Sequence, residues 1–168
     1  MTLKDGLHLL IRPIQPEDAE RERAFVARLS PETLYFRFMM PVRELPPAMI
    51  ERFTQIDYGR ELALVGITGE GAQQKLVGVA RITPTTVPAR CEFAIVVEET
   101  MQGTGLARML MQRLLKAART RGYTEMEGSV LRENPRMLKF CRSLGFEILP
   151  NPDDSNERIA RRELADAK

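Results

Sequence analysis

The stretch that decides the fold is Cys91-Glu-Phe-Ala-Ile-Val-Val97, then Gln102-Gly-Thr-Gly-Leu-Ala107, then Arg108-Met-Leu-Met-Gln-Arg-Leu-Leu115. The first segment alternates as a strand does, so Glu92, Ala94 and Val96 share one face and Cys91, Phe93, Ile95 and Val97 the other. The second is a glycine-bearing turn. The third places Leu106, Met109, Leu110, Leu114, Ala117 and Ala118 at helical spacing. A turn that opens a helix exposes backbone N–H groups with no helical partner, at an end with partial positive charge. Phosphate suits such an end.

The turn lacks the Gly-Lys-Ser/Thr ending of a Walker loop. It also lacks the third glycine of a dinucleotide fingerprint, because Arg108 stands there. By itself it reads equally as a tight turn or as a phosphate turn. Glu92 is the polar residue on an apolar strand. It reads either as an exposed glutamate with an arginine partner or as a general base whose pKa is raised.

Outward from this stretch, Leu7 to Arg12 is strand-like and stops at Pro13. Pro16-Glu17-Asp18 opens a helix with Phe25, Val26 and Leu29 on its apolar face. Ser30-Pro31 and Pro46-Pro47 open two short helices, carrying Leu34, Tyr35, Phe36 and Phe38, and Met49, Ile50 and Phe53. Leu62 to Thr68 and Leu76 to Thr83 read as a hairpin joined at Gly69-Glu70-Gly71. The long helix ends at Gly122, a glycine where a C-cap wants one. Glu125 to Leu131 is a strand reached by a parallel crossover. Asn134-Pro135 caps a helix with Met137, Phe140, Cys141 and Leu144 on one face, closed by Gly145. Phe146 to Leu149 is a short strand, and Arg158 to Leu164 is either a last strand or a helix. The order predicts an α+β fold, one domain over residues 1–168 with one central sheet.

Composition bounds the function. The chain has 168 residues and a net charge of +2, which implies neither a nucleic-acid nor a membrane partner. There is one histidine, His8, near the N-terminus, which nearly rules out a histidine-dependent triad or a His-rich metal site. Cys91 and Cys141 match no metal pattern, and a reducing cytoplasm is the simpler setting. No apolar run approaches the ~18 residues of a membrane span.

Together, the strand at Glu92, the turn Gln102 to Ala107 and the segment Asn134-Pro-Arg-Met-Leu-Lys-Phe-Cys-Arg-Ser-Leu-Gly-Phe146 resemble the acyl-CoA motifs of the GNAT superfamily of acyltransferases, in order and spacing. More narrowly, Ile11-Arg-Pro-Ile14, Pro16-Glu-Asp18, Leu29-Ser30, Arg37-Phe38, Gln55-Ile-Asp-Tyr58 and Glu92-Phe-Ala94 are similar to the bacterial protein lysine acetyltransferases of the Pat type. The resemblance covers residues 6–146. It implies a mixed, mostly antiparallel sheet splayed at its middle, between the strand at Glu92 and the strand at Glu125, and flanked by helices.

It also implies a donor site. Acetyl-CoA is the expected co-substrate, with no metal. Its pantetheine arm pairs with the backbone of Ile95, Val96 and Val97. Gln102, Gly103, Thr104, Gly105, Leu106, Ala107 and Arg108 hold the pyrophosphate. Asn134, Met137 and Cys141 line the other side. Glu92 matches the general base. An oxyanion donor is expected at the N–H of Val96 or Val97. Cys141 stands where many members carry a tyrosine that acts as the acid, and reads as a small core residue or as a thiol donor. Arg37, Asp57 and Tyr58 are acceptor-side candidates with equally local explanations. The expected acceptor is a protein lysine, an acyl-CoA synthetase being one candidate. Transfer to a small amine, or acyl-CoA binding without catalysis, are the alternatives. Monomer and homodimer stay open.

Overall fold

In the computed structural model, which describes residues 8–40, 42 and 44–164, seven strands form one sheet. In chain order the elements are β1 (Leu9–Pro13), α1 (Ala19–Arg28), α2 (Pro31–Phe38), α3 (Pro47–Thr54), β2 (Leu62–Thr68), β3 (Lys75–Pro84), β4 (Arg90–Val97), α4 (Leu106–Thr120), β5 (Glu125–Leu131), α5 (Pro135–Ser143), β6 (Glu147–Pro150) and β7 (Glu157–Glu163). The spatial order is β1-β2-β3-β4-β5-β7-β6. Every neighbouring pair is antiparallel except β4 with β5. This is the mixed, helix-flanked sheet expected from the sequence.

The start signals act as their chemistry predicts. The Ser30 hydroxyl accepts from the Thr33 N–H at 3.1 Å and opens α2. Asn134 Oδ1 accepts from the Met137 N–H at 3.2 Å and opens α5. Leu7, read as the first residue of the first strand, lies outside the described residues; the strand itself begins at Leu9. The ambiguous tail is a strand. β7 inserts between β5 and β6, so both of its edges are bonded and a helix there has no room.

Two apolar layers sandwich the first half of the sheet. α4 and α5 bury Leu106, Leu110, Leu114, Leu138 and Cys141 against Phe93, Ile95 and Met126 on one face. α1, α2 and α3 bury Phe25, Leu34 and Ile50 against Val65, Ile67 and Val79 on the other. β2 is buried along its whole length because both of its faces are covered. On the second face the helices reach no farther than β4. Glu125, Glu127, Ser129 and Arg161 therefore stand on an open part of the sheet beside Glu92.

Candidate active site

β4 and β5 run together only at their starts. Their parallel ladder joins Arg90, Cys91 and Glu92 to Glu125, Met126 and Glu127, and there it ends. Phe93 marks the fork. Its ring lies so close over Gly128 that an added Cβ would come within 2.6 Å of it. It also packs against Phe146, with ring centroids 5.1 Å apart. Only glycine fits beneath this ring.

Beyond the fork, β4 keeps β3 on one side and, among the described residues, has no strand on the other. Backbone groups of an antiparallel strand point alternately to its two edges. The Glu98 N–H donates to the Val77 carbonyl at 2.9 Å, and Val96 stands opposite Val79. Val96 therefore commits its N–H and C=O to β3. Ile95 and Val97 turn theirs into the gap. This narrows the sequence reading: Val97 and Ile95 are the available backbone donors, and Val96 is not. Unpaired backbone groups favour a partner such as an extended amide chain.

The gap opens into a cleft of about 960 Å³. At one end stands the glycine turn. Gly103 has φ +82° and Gly105 φ +92°, and a Cβ on either would meet nothing within 4 Å. Backbone conformation, not crowding, demands glycine there. Gly105 is the N-cap of α4 and supplies no capping side chain; the Leu106 N–H donates to Thr104 Oγ1 at 3.4 Å, which leaves the N–H groups of Ala107 and Arg108 at the start of this 15-residue helix for an anion. The Thr104 hydroxyl donates to the Met101 carbonyl at 2.5 Å and braces the turn. Arg136 donates to Gln102 Oε1, and Arg108 Nη2 donates to Ser143 Oγ at 2.7 Å, so two guanidinium groups ring the same end. The open end, the glycines and the cations suit a pyrophosphate.

The opposite wall is α2, and it is bolted to the turn. Glu99, in the 3-10 turn just before Gln102, accepts from the Ser30 N–H at 2.9 Å and the Thr33 hydroxyl at 2.6 Å. Partial burial disfavours its charge, but these hydrogen bonds outweigh that and pull its carboxyl down to about 2. α2 then brings Thr33, Phe36 and Arg37 to the cleft. Arg37 stacks on Phe38 at 4.8 Å and, among the described residues, has no ion pair within 4.0 Å. Burial and the nearby Arg81 lower it to about 10, opposed by Glu22 and Glu92.

Glu92 stands at the mouth of the fork, exposed at the edge of the open sheet face. Crowding by the surrounding elements raises its carboxyl above the ordinary range, the Glu127 charge adds to this, and Arg37 opposes it. A carboxylate tuned upward beside a cleft suits a proton acceptor.

The cleft therefore collects Glu92, Ile95, Val96, Val97, Gln102, Gly103, Gly105, Leu106, Ala107, Arg108, Asn134 and Met137. Leu106 contributes backbone, since its side chain is fully buried. Two candidates are corrected. Thr104 lines no part of the cleft, because its hydroxyl is turned back onto Met101. Cys141 is fully buried, and burial pushes its thiol up to about 12; Phe140, one residue earlier, faces the cleft instead. The predicted single face of α5 is divided. Leu138, Cys141 and Leu144 enter the core, while Met137 and Phe140 line the cleft. Tyr58 donates to the Ile14 carbonyl, and Asp57 accepts from the Gly59 N–H at 3.0 Å, so both serve local structure. Glu99 and Arg136 were not anticipated. Glu99 has no local signal, because its partners lie 66 and 69 residues away. Arg136 was legible as the cation next to the Asn134-Pro135 cap.

Comparison with known proteins supplies the class. The family model described as the acetyltransferase (GNAT) family matches residues 31–146. The chain belongs to this family. It is an acetyltransferase, and the family implies use of acetyl-CoA. An acetyltransferase of Pseudomonas aeruginosa is 38% identical over 163 residues, 97% of this chain and 88% of the relative. The acetyltransferase Pat of Mycolicibacterium smegmatis is 31% identical over 144 residues, 85% of this chain but 42% of the relative, so this GNAT chain spans less than half of that protein. The crystal structure of the GNAT domain of S. lividans PAT superposes with a TM-score of 0.86 at 28% identity, covering 98% of this chain and 95% of that one. Among the described residues no helix is long and apolar enough to cross a membrane.

Proposed function

We propose that the enzyme transfers an acetyl group from acetyl-CoA to the side-chain amine of a protein lysine by direct attack, with Glu92 as general base. The observation that carries this is the fork. It sets Glu92 on the last shared rung of β4 and β5, beside the gap into which Ile95 and Val97 turn their backbone groups. Bound in the cleft, acetyl-CoA supplies an activated acetyl thioester. The turn from Gln102 to Arg108 holds its pyrophosphate, and Asn134 and Met137 flank its arm. A lysine ammonium has a pKa of about 10.4, so at neutral pH few acceptors are neutral. Glu92 takes the surplus proton directly or through water as the nitrogen–carbon bond forms. The Val97 N–H stabilises the charge that develops on the carbonyl oxygen. As the carbon–sulfur bond breaks, the thiolate takes its proton from solvent, since Cys141 is sealed in the core.

A protein acceptor is favoured by the open sheet face beside Glu92 and by the likeness to the two Pat proteins. An acyl-CoA synthetase is one candidate acceptor. The cation of Arg37 favours a second reading, a small amine that carries a carboxylate. The test incubates the purified enzyme with acetyl-CoA and a cell extract, then maps acetyl-lysines by mass spectrometry. New acetyl-lysines that vanish with Glu92→Gln support the reading. Acetylation confined to small amines overturns the protein acceptor.

A further inference from the structure

The last rung before the fork pairs two carboxylates. Glu92 and Glu127 stand opposite each other in a parallel ladder, so their side chains rise from the same face of adjacent strands, ~4.8 Å apart at the backbone. Like charges at this spacing repel, and such pairs are uncommon unless something fixes one of them. Here Glu127 is fixed. Arg161 donates to its Oε2 from Nε at 3.1 Å and from Nη2 at 2.9 Å, and Arg90 approaches at 3.7 Å. Arg90 also binds Glu125 at 3.0 Å, and Arg161 reaches Glu125 at 3.9 Å, closing a ring of two arginines and two glutamates across β4, β5 and β7. Glu92 is outside this ring; among the described residues it has no ion pair within 4.0 Å.

We propose that Glu127 is a positioning residue for Glu92: clamped by Arg161 and Arg90, its carboxylate holds a fixed negative charge beside Glu92 and strengthens the grip of Glu92 on the proton it takes from the acceptor amine. The inference rests on the reading of Glu92 as the base. The clamp matters because it holds the Glu127 carboxylate in place beside Glu92; Arg161 also offsets part of its charge, and Arg90 keeps hold of it if Arg161 is lost. Two cations close the ring on Glu127 and leave its neighbour alone to absorb the change of charge. The groups facing Glu92 are Arg90 on its own strand, Glu125 and Glu127 on β5, Arg161 and Glu157 on β7, Arg37 on α2 and the uncharged Thr83 on β3. Arg37 opposes Glu127, and Glu157 acts with it. Glu127 is the carboxylate held directly alongside.

The test follows the Glu92 side-chain carboxyl by carbon-13 NMR in the full chain across the acidic and neutral range, with the signal assigned by its loss in Glu92→Gln. Glu127→Gln should move the Glu92 titration down toward the ordinary glutamate range. Glu127→Asp, which keeps the charge, should restore it. Arg161→Gln, which unmasks Glu127, should move it upward. A merely structural clamp would not give opposite directions for the two losses of charge. With a blocked lysine peptide as acceptor, the acid limb of the rate should follow. Glu127→Gln should then gain up to about twofold at the pH where the wild type is half-maximal. An unmoved titration in both Glu127→Gln and Arg161→Gln, or movement in one common direction, overturns the role of Glu127 and leaves Glu92 as base untouched. Titrations that move as expected while the acid limb stays put overturn Glu92 as base, and the catalytic role of Glu127 with it.

Discussion

The two sides of the cleft are made of different material. The proposed donor side is mostly backbone: a glycine turn, the N–H groups of Ala107 and Arg108 at the start of α4, and the edge of β4 that faces the gap. The acceptor side is mostly side chains: Glu92 and Glu127 from the sheet, Phe36 and Arg37 from α2, and the charged ring on β5 and β7. A backbone site tolerates change wherever a side chain points away, and fails abruptly where the conformation itself is altered. A side-chain site responds in graded steps, because each charge is one contribution among several. On the proposed reading, the backbone half takes the acyl-CoA and the side-chain half meets the acceptor.

Substitutions can break the contrast or sharpen it. Gly105→Glu has the largest expected effect. It forces a residue with a Cβ to φ +92° and places a carboxylate at the proposed pyrophosphate site. Calorimetry should show no acetyl-CoA binding, while normal affinity would remove the turn as the phosphate site. Glu92→Gln strikes the other side. Transfer at neutral pH should fall about 10²–10⁴-fold with acetyl-CoA affinity retained, as read by initial rates and calorimetry. If affinity falls as far as rate, the two sides are not separable.

Gly128→Ala tests the fork between them. Its methyl meets the Phe93 ring, and thermal unfolding should show a loss of about 1–3 kcal/mol. A stability equal to wild type would mean that the ring moves freely and is not what the glycine accommodates.

Glu99 ties the sides together and makes a pH-dependent contribution. Its folded pKa of about 2 lies below the ordinary glutamate value of 4.5. The tie therefore contributes fully above pH ~4.5 and is lost as pH falls through about 2. Glu99→Gln should flatten the stability–pH curve in that window, measured by denaturant unfolding. Cys141→Ala should do least: less than about twofold in rate with an unchanged pH profile, because the buried thiol does not line the cleft. A lost basic limb in that variant would restore Cys141 as the acid.

The donor side was legible because its determinants are local. Gly103 and Gly105 sit two residues apart, and the apolar spacing of α4 follows at once. Asn134-Pro135 announces α5 in the same way. The division of α5 was not legible. Met137, Phe140, Cys141 and Leu144 share one apolar periodicity, and nothing in periodicity separates a core face from a cleft face. Thr104 was misplaced for a related reason: a threonine inside a phosphate-type turn can aim outward or fold back, and only the Met101 carbonyl decides.

By itself, then, the sequence determined the elements through β6 and their order, the glycine turn and the isolated carboxylate of Glu92, because caps, glycines and alternation act over a few residues. Tertiary structure alone decided that β7 enters between β5 and β6 and brings Arg161 to Glu127. It also decided that Glu99 reaches back to α2 and that the β4–β5 ladder ends at Glu92. These depend on contacts between residues 34 to 69 positions apart, or on a ladder that stops, and no local pattern encodes either.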